Sequence, residues 1–326
     1  MKQLLIIIAC VALTIGNSVF AQQPNNKWGK PSQVEWSLQA WGEAPDAEAV
    51  ILNKTMTLTY KITRQFESYG NTTQEIDMSN VDQLGINGGS QYVLANYVMK
   101  VRTKILKDEG AKYANIDIIY FNEESDPEQY DELGRLSVIR YDMNEKGKSQ
   151  RHVVKNSTFT EERLDAHYVV RHILVPDAKK GDIIEYQYEI SSRRVNYLYD
   201  WSFQEDIPVL YAKSDMDIPA FIQFNMTTPI HPFITSKVEA GTIFGEQGAG
   251  DMKAPKSYQS NHYVVEGHDI LPKGLDLQRK ADGTEAAKVS AEPGQVLRTY
   301  AVIKNNVNRP FAMPTGKVHL MINPKK

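Results

Sequence analysis

The chain has 326 residues, 41% of them hydrophobic, with 37 basic and 40 acidic side chains and one cysteine, Cys10. A chain of this length can build a large core without disulfides, as one big β domain or about two smaller units. The slightly acidic balance and the lack of any long basic stretch exclude the electrostatic footprint of a nucleic-acid or anionic-membrane binder.

Lys2, the apolar run Leu4 to Leu13 and the small residues of Ser18-Val19-Phe20-Ala21 predict a signal peptide over residues 1–21, cleaved after Ala21. The apolar run is about half of the ~20 residues that a membrane span needs. A lipoprotein cut at Cys10 would leave an apolar segment of only about five residues, shorter than such signals use. Cleavage leaves 305 residues with no cysteine, 36 basic and 40 acidic side chains, and no transmembrane segment. The expected location is the periplasm or the cell surface.

Residues 22–48 open on a polar stretch and are expected to form a flexible N-terminal segment. From Ala49 to Phe66, Met56, Leu58, Tyr60 and Ile62 alternate with Thr57, Thr59 and Lys61, the period-two pattern of a half-buried strand. Next, Leu94, Tyr97, Val98, Val101 and Ile105 repeat at three- and four-residue steps. With Ser90 as cap and Gly110 as stop, they predict one core-packing helix at about 90–109. Strands are expected at 115–121, then at 136–142 and 150–155 around an Asn144–Lys148 hairpin. Further strands are expected at 167–175 and 183–190 around a second turn of the same kind, Pro176–Gly181. Others follow at 197–204, 209–214, 221–226, 263–266, 296–304 and 318–322. The expected fold is mainly β, an antiparallel sandwich or strongly curved sheet with one packed helix. A β-rich domain would cover 49–230 and a smaller β-rich region 231–326.

Without Cys10, thiolate nucleophiles, thiolate metal sites and redox dithiols are excluded. His167 and His172, five apart on one strand, point to opposite faces. Gly267 is expected to break the strand between His262 and His268, and no histidine spacing fits a zinc set. No Gly-x-Ser-x-Gly elbow is present. Gly241 to Gly250 lacks the Lys-Ser/Thr pair of a phosphate loop and reads as a hairpin or linker. The acidic run Glu123 to Glu132, which includes Asp131, reads as a solvated loop, and Glu185 and Glu189 read as a solvent-facing strand surface. Neither a metal site nor a cofactor is expected. Tyr197, Tyr199, Trp201 and Phe203 occupy alternate positions and form the candidate binding surface, with core packing as the alternative role.

Several segments then carry a family resemblance. They are Ile105-Leu106-Lys107-Asp108-Glu109-Gly110, Tyr141 to Lys148, Val175-Pro176, Lys180 to Tyr188, Asp200 to Val209 and Asp217-Ile218-Pro219. Over about 104–225 the chain resembles the domain of unknown function three-eight-five-seven, found in exported proteins of Bacteroidetes. The resemblance implies a β-rich envelope or extracellular domain that commonly precedes a transglutaminase-like domain, and it implies no catalytic residues. That neighbour's cysteine has no counterpart in this sequence, so its chemistry does not carry over. The expected function is an exported, non-enzymatic binding module for a protein or glycan of the cell envelope. The alternatives are an accessory subunit of a separate transglutaminase-like protease or peptidase, and a carboxylate-based glycan hydrolase.

Overall fold

The period-two pattern governs the backbone almost throughout. In the computed structural model the described residues are 27–62, 66–69, 72–75, 93–125, 130–195, 198–199, 201–220, 222–227, 234–245, 257–273, 275–279, 285–289, 298–304 and 317–321. The predicted signal peptide and Tyr197 lie outside them. The strands are β1 (Ala49–Ile62), β2 (Phe66–Tyr69), β3 (Thr72–Glu75), β4 (Val93–Ile105), β5 (Ile116–Phe121), β6 (Glu132–Met143) and β7 (Ser149–Val153). There follow β8 (Phe159–Arg163), β9 (Tyr168–Ile173), β10 (Ile183–Ser192), β11 (Trp201–Ser202), β12 (Val209–Pro219), β13 (Gln223–Thr227) and β14 (Ile234–Phe244). The last are β15 (Ser257–Ile270), β16 (Leu275–Arg279), β17 (Glu285–Val289), β18 (Arg298–Lys304) and β19 (Lys317–Met321), and one short helix, α1 (Gln33–Ser37), precedes them all.

Eight strands form one sheet in the order β14-β15-β12-β1-β4-β10-β6-β7. Its ladders are antiparallel except β1 with β12, which run parallel. A three-stranded sheet, β5-β9-β8, supplies a second layer. Between the layers, Met56, Leu58 and Tyr60 of β1 and Tyr97, Met99 and Val101 of β4 join Ile116, Ile118 and Tyr120 of β5 and Val169 and Ile173 of β9 in one buried cluster. Full burial of such side chains stabilises the fold by about 1.5–3 kcal/mol each. The architecture is thus mainly β and layered, as the alternation predicts.

The helix expected at 90–109 is instead β4, a central strand. Val93, Ala95, Tyr97, Met99 and Val101 are buried at strict two-residue steps, with half-buried side chains between them. Its apolar positions fit both periods, but β1 and β10 pair along both sides and take up the backbone hydrogen bonds that a helix would keep for itself. Gly110 is needed not to stop a helix but for close approach. A Cβ there would lie 2.1 Å from the Glu48 carbonyl oxygen.

Three further expectations change. β9 and β10 are both present but lie in different sheets, so Pro176–Gly181 is a crossover between layers and not a hairpin. The hairpin of β6 and β7 around Asn144 does form, with Asn144 accepting from the Lys146 and Lys148 amides. β14 and β15 follow residue 230 yet continue the large sheet through β12, so a division there would cut one sheet. Residues 27–48 are packed rather than flexible. Leu38, Trp41 and Ala44 are buried, and α1 starts in a capping box in which Ser32 and Glu35 satisfy each other's backbone amides.

Candidate functional site

One face of the large sheet supplies the main core; the other is mainly polar, although Val50, Ile139, Tyr141 and Ile183 form a smaller apolar cluster with Leu38 at one end of it. Side chains directly opposite each other across a ladder share a face. Thr55 lies opposite Lys100 and Lys213, and Thr57 opposite Val98 and Asp215. Lys100 in turn meets Gln187, and Lys213 meets Glu266. This polar face has two unlike ends.

At the first end the segment Lys27–Leu38 forms a strap over β4, β10 and β6. Arg102 of β4 is 1% exposed, a position at which an unpaired charge would be strongly destabilising. Its Nε donates to Glu185 Oε1 at 2.7 Å, Nη1 to Glu35 Oε1 at 2.6 Å and Nη2 to the Lys27 carbonyl at 2.7 Å. Glu185 Oε2 accepts from the Tyr141 hydroxyl and from the Gly29 amide, both at 2.9 Å. The Trp28 ring lies 5.1 Å from the guanidinium, and Lys104 donates to the Trp36 carbonyl at 3.0 Å. Burial pushes Lys104 down to about 8, against the pull of Asp182 and Glu35. Burial, and then Glu185, push Tyr141 up to about 12. Glu185 is therefore no solvated strand residue, as its alternation with Gln187 and Glu189 had suggested. Its cation lies 83 positions away.

At the second end nothing comparable covers the face among the described residues. Lys213 Nζ lies 2.8 Å from Asp215 and 3.6 Å from Glu266, His262 Nε2 lies 2.7 Å from Asp215, and Tyr211 donates to Glu266 at 3.3 Å. The His268 ring sits 5.0 Å from Tyr211. Lys213, Asp215, His262 and Glu266 are half-buried. Burial pushes the Asp215 carboxyl up, but Lys213 and His262 outweigh it and hold the group below its ordinary range. For Lys213 burial again opposes the outcome, and Asp215 followed by Glu266 holds the ammonium above its usual value. The arrangement offers a preordered set of donors and acceptors whose water-facing sides remain free for another polar surface.

The sequence-predicted site does not form an exposed strip. Trp201 and Phe203 are core residues at 4% and 1% exposure, and β11 is only two residues long. Tyr199 is half-buried, edge-on to Tyr97 at 5.2 Å. It donates to Asp131 and accepts from the Phe121 amide at 3.0 Å. Asp131, expected in a solvated loop, is buried against Arg194 at 3.0 Å. His167 pairs with Glu123, and His172 with Asp117 and Glu162. β15 runs unbroken through Gly267, so His262 and His268 share the polar face. Among the described residues no group of three or more His, Cys, Asp or Glu side chains could hold a metal ion. No helix among them is long and apolar enough to cross a membrane. A hollow of about 460 Å³ lies between residues 43–48 and the start of β12, lined by Glu43, Asp46, Glu48, Lys112, Tyr113 and Asp206. Lys112 pairs with Glu48 across it at 2.6 Å.

Residues 95–248 match the family described as a domain of unknown function with a solved structure, DUF3857. Among solved structures the chain is similar to a provisionally named protease of Parabacteroides distasonis, at 12% identity and a TM-score of 0.40. That match covers 75% of this chain and 41% of the other. It is also similar to a variant of an M1 zinc metallopeptidase from Deinococcus radiodurans, at 8% identity and a TM-score of 0.26, covering 82% of this chain and 51% of that one. This chain therefore spans about half the length of either, or less. No curated protein matches it.

Proposed function

We propose that this chain, with the DUF3857 match as the starting point, is an exported, non-catalytic interaction module of the cell envelope. It docks a protein partner through the open end of the polar sheet face. The observation that carries this reading is the array of Tyr211, Lys213, Asp215, His262 and Glu266. These side chains are held in mutual hydrogen bonds on two long strands, and all but the buried Tyr211 keep a side toward solvent. Groups fixed on rigid strands lose little freedom on docking, which favours recognition of a complementary charged surface. The non-catalytic reading is supported by the buried carboxylates. Glu185 and Glu35 are tied to Arg102, Asp182 to Arg140 and Asp131 to Arg194. A protein partner is favoured over a glycan because Trp201 and Phe203, the rings that would stack on sugar, sit in the core.

The test is affinity capture of the tagged, exported chain after brief cross-linking in the intact envelope, with Glu266→Lys and Asp215→Lys as paired controls. One partner recovered by the wild type and lost by both folded variants supports the reading. If that partner is a peptidase, the chain is its accessory subunit. The same recovered set from all three chains would overturn the docking face.

A further inference from the structure

The two edges of the eight-stranded sheet are built differently. At one end β7 has five residues, all exposed, including Arg151 and His152. A short, charged edge of this kind discourages pairing with another chain. At the other end β14 runs eleven residues, and its register with β15 is unbroken from Ile234 opposite Gly267 to Phe244 opposite Ser257. It contains no proline, and no strand pairs with its outer edge among the described residues. Val238 at its middle is 54% exposed. Lysine is the usual guard on such an edge, but Lys237 is matched by Glu239 two residues on, at 2.5 Å, with both side chains more than half exposed.

We propose that the outer edge of β14 is a self-association edge whose occupant is β14 of a second copy. The strands would pair antiparallel about a two-fold axis at Val238. Within Ile234-Thr235-Ser236-Lys237-Val238-Glu239-Ala240-Gly241-Thr242 the two charges are complementary about that point, and the residues flanking them are small or uncharged. Val238 meets its own copy, Lys237 lies opposite the partner copy's glutamate at the same position as Glu239, and Glu239 opposite the partner copy's lysine. An axis through that pair therefore makes two cross-strand ion pairs from the groups that would otherwise guard the edge. It also brings two exposed valines together. The axis stands perpendicular to the joined sheet, so both polar faces point to the same side. The dimer would present the open face twice, and a partner with two sites would be held by avidity. The inference does not depend on the polar face being a docking surface, because its readout is the oligomeric state of the purified chain alone.

Analytical ultracentrifugation of the full exported chain across a wide concentration range tests it. The wild type is expected to dimerise reversibly. Lys237→Glu and Glu239→Lys should each weaken dimerisation by about tenfold or more, because each sets like charges opposite one another twice. The double swap Lys237→Glu/Glu239→Lys should restore it. An equimolar mixture of the two single variants should form the heterodimer. Both positions are exposed, and circular dichroism checks that each variant is folded. A wild type that stays monomeric, or a dimer indifferent to the swaps, would overturn the proposal.

Discussion

The strap-covered end of the polar face and its open end use the same residue types to opposite effect. Around Arg102 the charges are out of water, each ion is bonded to more than one partner, and two of the ligands, Glu35 and the Lys27 carbonyl, come from the strap itself. Around Lys213 the charges keep a side toward solvent and pair only with neighbours on β12 and β15. Removing one partner from the first set strands a buried charge, whereas removing one from the second leaves the others to water. The covered end therefore fixes the N-terminal segment to the sheet, and the open end can change partners at little cost to the fold.

The contrast can be broken most sharply at Arg102. Arg102→Leu strips Glu185 and Glu35 of the guanidinium they share and is expected to cost about 3–5 kcal/mol in urea unfolding. A loss below about 1 kcal/mol would mean that the network is not the lock it looks like. Next comes Gly110→Ala, which forces a Cβ into the Glu48 carbonyl, the acceptor for the Leu106 and Lys107 amides just after β4. About 1–3 kcal/mol is expected, read from the same denaturation curves. Glu35→Gln removes the charge that Arg102 faces and one of the two acceptor oxygens shared by Arg102 and the Ser32 amide, and should cost about 1–2 kcal/mol, with faster amide exchange confined to the strap. At the open end, Asp215→Asn should stay within about 1 kcal/mol of the wild type.

These losses also bear on what could be read from sequence. The β1 alternation and the β6–β7 hairpin were legible because their cues are local: Met56 to Ile62 at period two, and an Asn-led turn between two strands. β4 was not, because Leu94, Tyr97, Val98, Val101 and Ile105 satisfy the helical period while Val93, Ala95, Tyr97, Met99 and Val101 satisfy the strand period, and only its neighbours β1 and β10 decide. The candidate site was hidden for a related reason. Nothing near Glu185 in the sequence announces Arg102, and nothing near Asp131 announces Arg194, so both acids read as solvated. Trp201 and Phe203 showed their alternation but not the side to which it faces.

The smallest expected effects are in pH. The folded pKa of Lys104, about 8, lies below its ordinary value of 10.5. Between these values the unfolded chain holds a proton that the folded chain has lost, so this group makes stability rise with pH from about 8 toward 10. Lys104→Met should flatten that rise in denaturation midpoints measured across the interval. Asp215 behaves in the opposite sense. Its carboxyl is held below its ordinary 3.8, so its contribution is present above that pH and fades as acid reaches the lower folded value. Asp215→Asn should remove this acid-side loss while leaving the alkaline slope untouched.

The open end of the polar face, and not the second layer, is expected to meet the partner. The most direct measurement places a photo-reactive side chain at Thr57, on the polar face beside Asp215, and in a second chain at Ile119, which is half exposed on β5 of the second layer. Irradiation of intact envelopes should then yield one discrete adduct from position 57 and none of that mass from position 119. An adduct from position 119 alone, or the same adduct from both, would rule out the open end as the docking face.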